Sequence, residues 1–423
     1  MKKPYRIVMF SPLFSPLANP EAIVNSKLTL AFLRQGWEID VISRECGISS
    51  GYDYGSKWVD PWLPLKSVTH EVQYEVGGFL RKSYETARSA LRFHHLILGC
   101  RWAEHAFHLA MKLHAAKPYH IILSRSLPDS GHLPALGMAK VTKLPWVANW
   151  NDATDVKNPP PSGKGADAPA GYLKERYLND IARTAAWHTF PSDRMRSHIC
   201  SYLNNGTENK SSTIPHVALE REQPIKVRKG QTFTLCYAGN LYSGRNPELF
   251  LKALKTFIDE KGLNEICKFN FIGLESIGLS KLIKDYDLEQ NIIFSGPLSY
   301  IETFRQFSDS DVLVVLEAAY SEGIYLPSKF VDYVQVGKPV LAISPPNGTL
   351  NDIIKQFGGG IFADCASEEQ IRNALDRLYH AWLDDSIERE YGSNRLYKLF
   401  SPELVIQQYI EIFSKISPNY NLL

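Results

Sequence analysis

The stretch YRIVMFSPLFSPLANPEAIVNSKLTLAFLRQGWEIDVIS, residues 5–43, decides the fold class. Tyr5 to Phe10 is mostly apolar with little alternation, as a strand buried on both faces of a parallel sheet should be. A loop punctuated by Pro12 and Pro16 follows, and then a helical pattern with Val24, Leu28 and Ala31 on one face. Gly36 closes that helix, and Glu38 to Ser43 reads as the next strand. Strand, loop, helix, strand is the opening of a doubly wound α/β domain. The alternation returns at His120–Ser124 and Pro145–Asn149, with a helix from His132 to Lys143 between them.

A second α/β series starts at Phe233–Ala238 and continues with a helix from Pro247 to Lys261. Further strands are expected near Phe269–Ile272, Ile292–Ser295, Val312–Leu316 and Val340–Ile343. The polar stretch Asn204 to Gln231 separates the two series, which divides the chain into residues 1–215 and 216–400. Beyond Ser401 and Pro402, the positions Val405, Tyr409, Ile412 and Ile416 form one helical stripe, so 401–423 is expected to return as a helix to the first domain. Two sequential Rossmann-like domains predict a cleft between them, with ligands at the C-terminal ends of the strands. The Pro-, Gly- and Ala-rich stretch Asp155–Gly171 has no regular period and reads as a lid-like loop or a passive insertion.

Composition narrows the class. With 423 residues, 44% hydrophobic and 22% charged, the chain is neither disordered nor fibrous. Its longest apolar run, Val312 to Leu316, is far short of the ~20 residues a spanning helix needs. No signal peptide is visible at the start. Six scattered cysteines without metal spacing fit free thiols in a reducing cytoplasm, and no metal site is expected. Residues 1–200 carry 25 Lys and Arg against 17 Asp and Glu, whereas the remainder carries 22 against 28. A basic front half suggests an anionic partner. Within it, Leu80–Lys117 holds seven basic residues and only two acids. On a helix, Arg81, Arg88 and Arg92 share one face, while Leu80, Tyr84, Ala87 and Leu91 share another. That pattern reads either as a helix docked through its arginines on an anionic membrane or as a solvated basic face.

The chemistry is concentrated in Leu326-Pro327-Ser328-Lys329-Phe330-Val331-Asp332-Tyr333, ending Gly337-Lys338-Pro339-Val340. A helix is expected to open near Pro327, placing Ser328 and Lys329 in its first turn, where free N–H groups attract anions. A lysine opposes the helix dipole there, and a bound diphosphate would remove the conflict. Asp332, one turn on, is suited to ribose hydroxyls. The loop after Phe233–Ala238 supplies Gly239, Asn240 and Arg245: a glycine for close backbone approach and a planar fork for phosphate oxygens.

These motifs, in the order Ala238-Gly239-Asn240-Leu241 and Arg245, Phe271-Ile272-Gly273, Phe294-Ser295-Gly296-Pro297-Leu298, Ser310-Asp311-Val312, then Leu326-Pro327-Ser328-Lys329, resemble glycosyltransferase family 4, in a Leu-Pro-Ser-Lys subgroup. Ser124–Leu133 and Leu144–Asp152 are similar to two acceptor-side loops of that family. The resemblance implies a GT-B fold, two Rossmann-like domains that clamp a nucleotide sugar, and transfer with retention and without a metal or other cofactor. The family's two diphosphate-binding cations fall on Asn240 and Arg245, so Lys329 is the replacement for the first. Its second carboxylate falls on Asp332. Its first falls on Ile324, and the nearest acid is Glu322. The histidine often found after the fourth strand is replaced by Ser126, with His132 nearby.

The resemblance therefore implies catalytic candidates Glu322, Arg245, Lys329, Asp152 and His132. Donor binding would fall to Gly239, Asn240, Arg245, Leu298, Ser328, Lys329 and Asp332, with the base held near Leu298. The expected activity is a retaining glycosyltransferase that moves sugar from a nucleotide-diphosphate sugar to a hydroxyl of a sugar, oligosaccharide or lipid-linked acceptor, in cell-surface polysaccharide or glycolipid synthesis. It would work in the cytoplasm, at the inner face of the plasma membrane, with no nucleic-acid partner. A nucleotide-sugar epimerase of the same fold and an inactive sugar-binding relative are the alternatives.

Overall fold

The apolar runs become two all-parallel sheets, and helices cover both of their faces. The computed structural model describes residues 4–46, 58–73, 77–153, 172–203, 206–220, 230–241, 244–275 and 277–418. Among these, the residues up to Val217 and from Pro402 onward form one compact unit, and Ala218–Ser401 form the other. The Asp155–Gly171 loop lies outside the described residues, as do Tyr242, Ser243 and much of the polar stretch between the two series.

In the first unit the strands are β1 (Arg6–Phe10), β2 (Glu38–Arg44), β3 (Thr69–Val72), β4 (Ile121–Ser126), β5 (Trp146–Trp150), β6 (Trp187–Phe190) and β7 (Ser211–Thr213). They lie in the order β3-β2-β1-β4-β5-β6-β7. The register pairs Ile7 with Ile39 on one side and with Ile121 on the other. The helix Pro20–Arg34 starts where Asn19 accepts a hydrogen bond from the Ala22 N–H at 2.8 Å, with Pro20 in its first turn. The helix Pro402–Ile416 buries Val405, Tyr409, Ile412 and Phe413 in this unit. Tyr409 meets Phe32 edge-on at 5.2 Å, and Phe413 meets Tyr5 at 5.1 Å. Phe413, not Ile416, completes the buried stripe, and Ile416 is half-buried.

The second unit contains β8 (Phe233–Ala238), β9 (Cys267–Ile272), β10 (Ile292–Phe294), β11 (Val312–Leu316), β12 (Val340–Ser344) and β13 (Gly360–Asp364), in the order β10-β9-β8-β11-β12-β13. All five residues of β11 are buried, which is why that run reads as uniformly apolar. Phe233, Leu235 and Tyr237 point into one core, whereas Cys236 points into the other with Val315 and Phe330. Each buried aliphatic or aromatic side chain contributes about 1.5–3 kcal/mol. Among the described residues no helix is long and apolar enough to cross a membrane.

The arginine stripe is corrected by the structure. The helix Phe79–Phe93 turns Arg88 and Arg92 toward Glu104 of the helix Cys100–Ala116, with Nε to carboxylate distances of 2.7 and 2.8 Å. Arg81 pairs with Glu85 at 2.9 Å. Burial alone would raise the Glu104 carboxyl, but hydrogen bonds from Arg88, Arg92 and His108 hold it below the usual range. The anionic surface that this basic face meets is therefore internal to the protein.

Candidate functional site

In the second sheet the strand order reverses between β8 and β11, and ligands of such sheets bind outside the carboxyl ends at that point. Gly239 and Asn240 follow β8 directly, and Glu317 is the first residue beyond β11. Gly239 has φ +121°, and a Cβ there would lie 2.9 Å from the Lys329 Nζ. Gly273, after β9, packs so closely that a Cβ on it would come within 2.6 Å of the Gly239 carbonyl oxygen. Gly239 thus leaves room for Lys329, and Gly273 for the Gly239 backbone; the Lys329 Nζ lies 3.9 Å from the centre of the Tyr237 ring. Tyr237 is in turn stacked on Phe271 at 5.3 Å.

Lys329 is the second residue of the helix Ser328–Val336, with Pro327 as its extended N-cap and Ser328 in the first position. Pro327 therefore precedes the helix instead of occupying its first turn. The Lys329 Nζ is out of contact with solvent and has no hydrogen-bond partner among the described residues. Burial, followed by the Arg245 charge, holds its ammonium well below the ordinary lysine value; Asp332 and Glu317 pull the other way. Burial raises the Glu317 carboxyl to about 7, against the attraction of Arg245, hydrogen bonding to Ser344 and the attraction of Lys329. Its Oε2 atom is buried without a hydrogen-bond partner among the described residues. One cluster thus holds two cations and two carboxylates, with Lys329 and Glu317 each displaced toward the neutral form.

Glu317 did not emerge from the sequence. Its signal was an acid at the end of an apolar strand, and only the strand order shows that β11 borders the reversal. The remaining candidates fall around the cluster. Asn240 accepts a hydrogen bond from the Leu274 N–H at 3.1 Å, so its side chain shapes the loop. Asp332 is half-buried and acts on both Lys329 and the buried Tyr300 hydroxyl. Ser328 is half-buried, and Leu298 packs at the edge of the core that includes Phe307 and Phe330. Ile324 is wholly buried, and its carbonyl accepts from the Thr349 hydroxyl. Glu322 is half-buried beside the bridge between Gly323 and Gly348. Tyr333 is a strut: its hydroxyl donates to the Val314 carbonyl at 3.1 Å and accepts from the Ala238 N–H at 3.2 Å.

In the first unit the structure corrects His132. It is fully buried, 4.5 Å from Trp150 between ring centres. Ser124 Oγ accepts from the Trp146 indole at 2.7 Å and lies 2.7 Å from His132 Nδ1, to which it can donate. Burial above all, with the charges of His188, Lys174 and Arg125, keeps the imidazole neutral and its value well below the usual one. His132 therefore packs inside the unit and does not face an acceptor. Asp152 is half-buried near a carboxylate that the sequence reading passed over, Glu21. Glu21 accepts from Asn25 at 3.1 Å and from Asn151 at 2.5 Å, and Arg125 donates to both amides, closing a ring of side chains. Burial first, and then Asp152, raises Glu21 to about 8 despite Arg125.

Comparisons with known proteins agree with this architecture. Residues 220–395 match the family model described as glycosyl transferases group 1. No curated protein matches the chain. Among solved structures, a glycosyltransferase from Rickettsia africae superposes with a TM-score of 0.66 at 14% identity, covering 98% of both chains. HepE of Anabaena, solved with UDP and glucose, gives 0.66 at 12% identity over 97% of this chain and all of its own. Sucrose-phosphate synthase of Thermosynechococcus elongatus gives 0.66 at 15% identity over 97% and 98%. The fold is GT-B, built from two Rossmann-like units, and the group 1 domain supports a glycosyltransferase.

Proposed function

We propose that the protein is a retaining glycosyltransferase of family 4 that moves a sugar from a nucleotide-diphosphate sugar to a hydroxyl acceptor in cell-surface polysaccharide or glycolipid synthesis. The observation that carries the reading is the Lys329 ammonium, buried beside Gly239 without a hydrogen-bond partner among the described residues. A buried amine that desolvation and Arg245 push toward the neutral form is returned to its charged form by an anionic ligand, so the site fits a diphosphate.

Breaking the anomeric C–O bond leaves charge on the departing diphosphate. Arg245 and Lys329, with the N–H groups that open the helix at Ser328, stabilise that charge without reorganising. The helix start needs no acid of its own, because the ligand supplies the negative end. Asp332 accepts from ribose hydroxyls, backbone near Leu298 holds the base, and Glu322 remains the candidate nearest the transferred sugar. Acceptor positioning falls to Asp152. In this reading side chains and backbone supply the charge stabilisation, and no metal or cofactor is required.

The test is transfer from a panel of nucleotide sugars. Arg245→Ala and Lys329→Ala should each lower turnover at least ~10²-fold, about 2.7 kcal/mol, with folding intact. The product should keep the donor's anomeric configuration. Near-native kinetics in both variants would overturn the diphosphate assignment, and an epimerised nucleotide sugar without transfer would replace the activity.

A further inference from the structure

Like the second sheet, the first reverses its strand order, here between β1 and β4. Glu21, second in the helix Pro20–Arg34, meets Arg125 of β4 and Asn151, which directly follows β5, at the carboxyl ends of these strands. Asn25, Arg125 and Asn151 are buried, and Glu21 is half-buried. Arg125 fixes how the two amides lie. Its Nε donates to Asn25 Oδ1 at 2.5 Å and its Nη2 to Asn151 Oδ1 at 3.2 Å, so both Nδ2 groups are left to face Glu21. Both donate to the same oxygen, Oε1, at 3.1 and 2.5 Å. The other oxygen takes no hydrogen bond among the described residues. A proton on this carboxyl therefore sits on Oε2, the oxygen that no amide approaches. Burial, and then Asp152, keep it there up to about pH 8 despite Arg125.

Arg125 and Asn151 also line a small cavity of the same unit with Asn149, His216 and Tyr409. Asn149 is 2% exposed, and its Oδ1 is buried with no hydrogen-bond partner among the described residues. A buried acceptor of this kind is completed by a hydroxyl or a water.

We infer that Glu21 reads the acceptor: its Oε2 and the Asp152 carboxylate recognise an uncharged hydroxyl of a neutral sugar and turn away phosphorylated or carboxylated ones. A hydroxyl both donates and accepts, so it completes a carboxyl O–H on Glu21 and a carboxylate on Asp152 together. A phosphate or carboxylate ion has no proton to give Asp152 and adds like charge beside it. Arg125 answers that charge poorly, because its Nε and Nη2 are held by the amides. The inference rests on the glycosyl-transfer reading and narrows its acceptor to a neutral sugar.

The experiment uses the full chain with methyl hexopyranosides, their 6-phosphates and the matching uronates, and reads binding by saturation-transfer NMR without donor. At least one neutral glycoside should bind, and its anionic counterparts at least ~10-fold more weakly. This comparison needs no variant. Glu21→Ala should weaken that glycoside at least ~10-fold, and Glu21→Gln should recover most of the loss, because its amide N–H stands where the Oε2 proton does. In transfer assays Glu21→Ala should raise KM for the acceptor and not for the donor. Equal or tighter binding of the phosphates or uronates overturns the inference. So does a panel in which no glycoside binds, or a glycoside affinity that Glu21→Ala leaves unchanged. Glycoside binding that depends on Glu21, without transfer from any nucleotide sugar, would uphold the neutral-sugar site and overturn the glycosyl-transfer reading instead.

Discussion

Replacing Glu317 by Gln tests the electrostatics of the second unit through stability, independently of any substrate. The carboxyl stands at about 7 in the folded protein against an ordinary 4.5, chiefly because it is buried. Between those values the folded chain holds a proton that the unfolded chain has lost, so this group makes stability fall as pH rises. The slope approaches ~1.4 kcal/mol per pH unit at most, and full ionisation opposes folding by about 3 kcal/mol. Glutamine fills nearly the same volume and does not ionise. Glu317→Gln should therefore match the wild type near about pH 5 and exceed it by up to ~3 kcal/mol near about pH 8. Lys329 works in the opposite direction, because its lowered value makes stability rise with pH, but it is present in both proteins. Urea denaturation across that range, comparing the difference between the two proteins, is the assay. A difference that stays constant with pH would show that Glu317 is solvated in the folded state and would refute the reasoning.

Nucleoside diphosphate binding should be accompanied by proton uptake near about pH 7.5, because added negative charge raises both Lys329 and Glu317; calorimetry in buffers of different ionisation enthalpy reads it, and no buffer dependence would place the ligand elsewhere. Gly239→Ala places a Cβ 2.9 Å from Lys329 Nζ on a backbone at φ +121°, so it should lower stability by about 1–3 kcal/mol and weaken nucleotide binding. An unchanged melting curve and affinity would contradict it. Asp332→Asn should weaken nucleotide binding while leaving the melting temperature near wild type, since an amide accepts fewer hydrogen bonds. Unchanged affinity with a lower melting temperature would instead make Asp332 structural.

What sequence alone determined was periodicity and local chemistry. Tyr5–Phe10 and Val312–Leu316 read as buried parallel strands because a strand covered on both faces has no polar side to display. Lys329 stood out because a lysine in a first helical turn opposes the helix dipole, a conflict visible in a few consecutive residues. The same view could not see what lies across from a side chain. Arg81, Arg88 and Arg92 were recognised as one helical face, but Glu104, the partner of Arg88 and Arg92, comes from the packing of the next helix, whereas Arg81 pairs with Glu85 one turn along its own helix. His132 looked available beside a candidate loop until Ser124, Trp146 and Trp150 enclosed it. Glu317 and Glu21 were silent in sequence because their character comes from burial and from neighbours distant in the chain: Arg245 and Ser344 for one, Asn151 and Arg125 for the other. Desolvation and pairing are properties of the packed interior, so only the tertiary structure decided which charged residues are struts and which are held poised for chemistry.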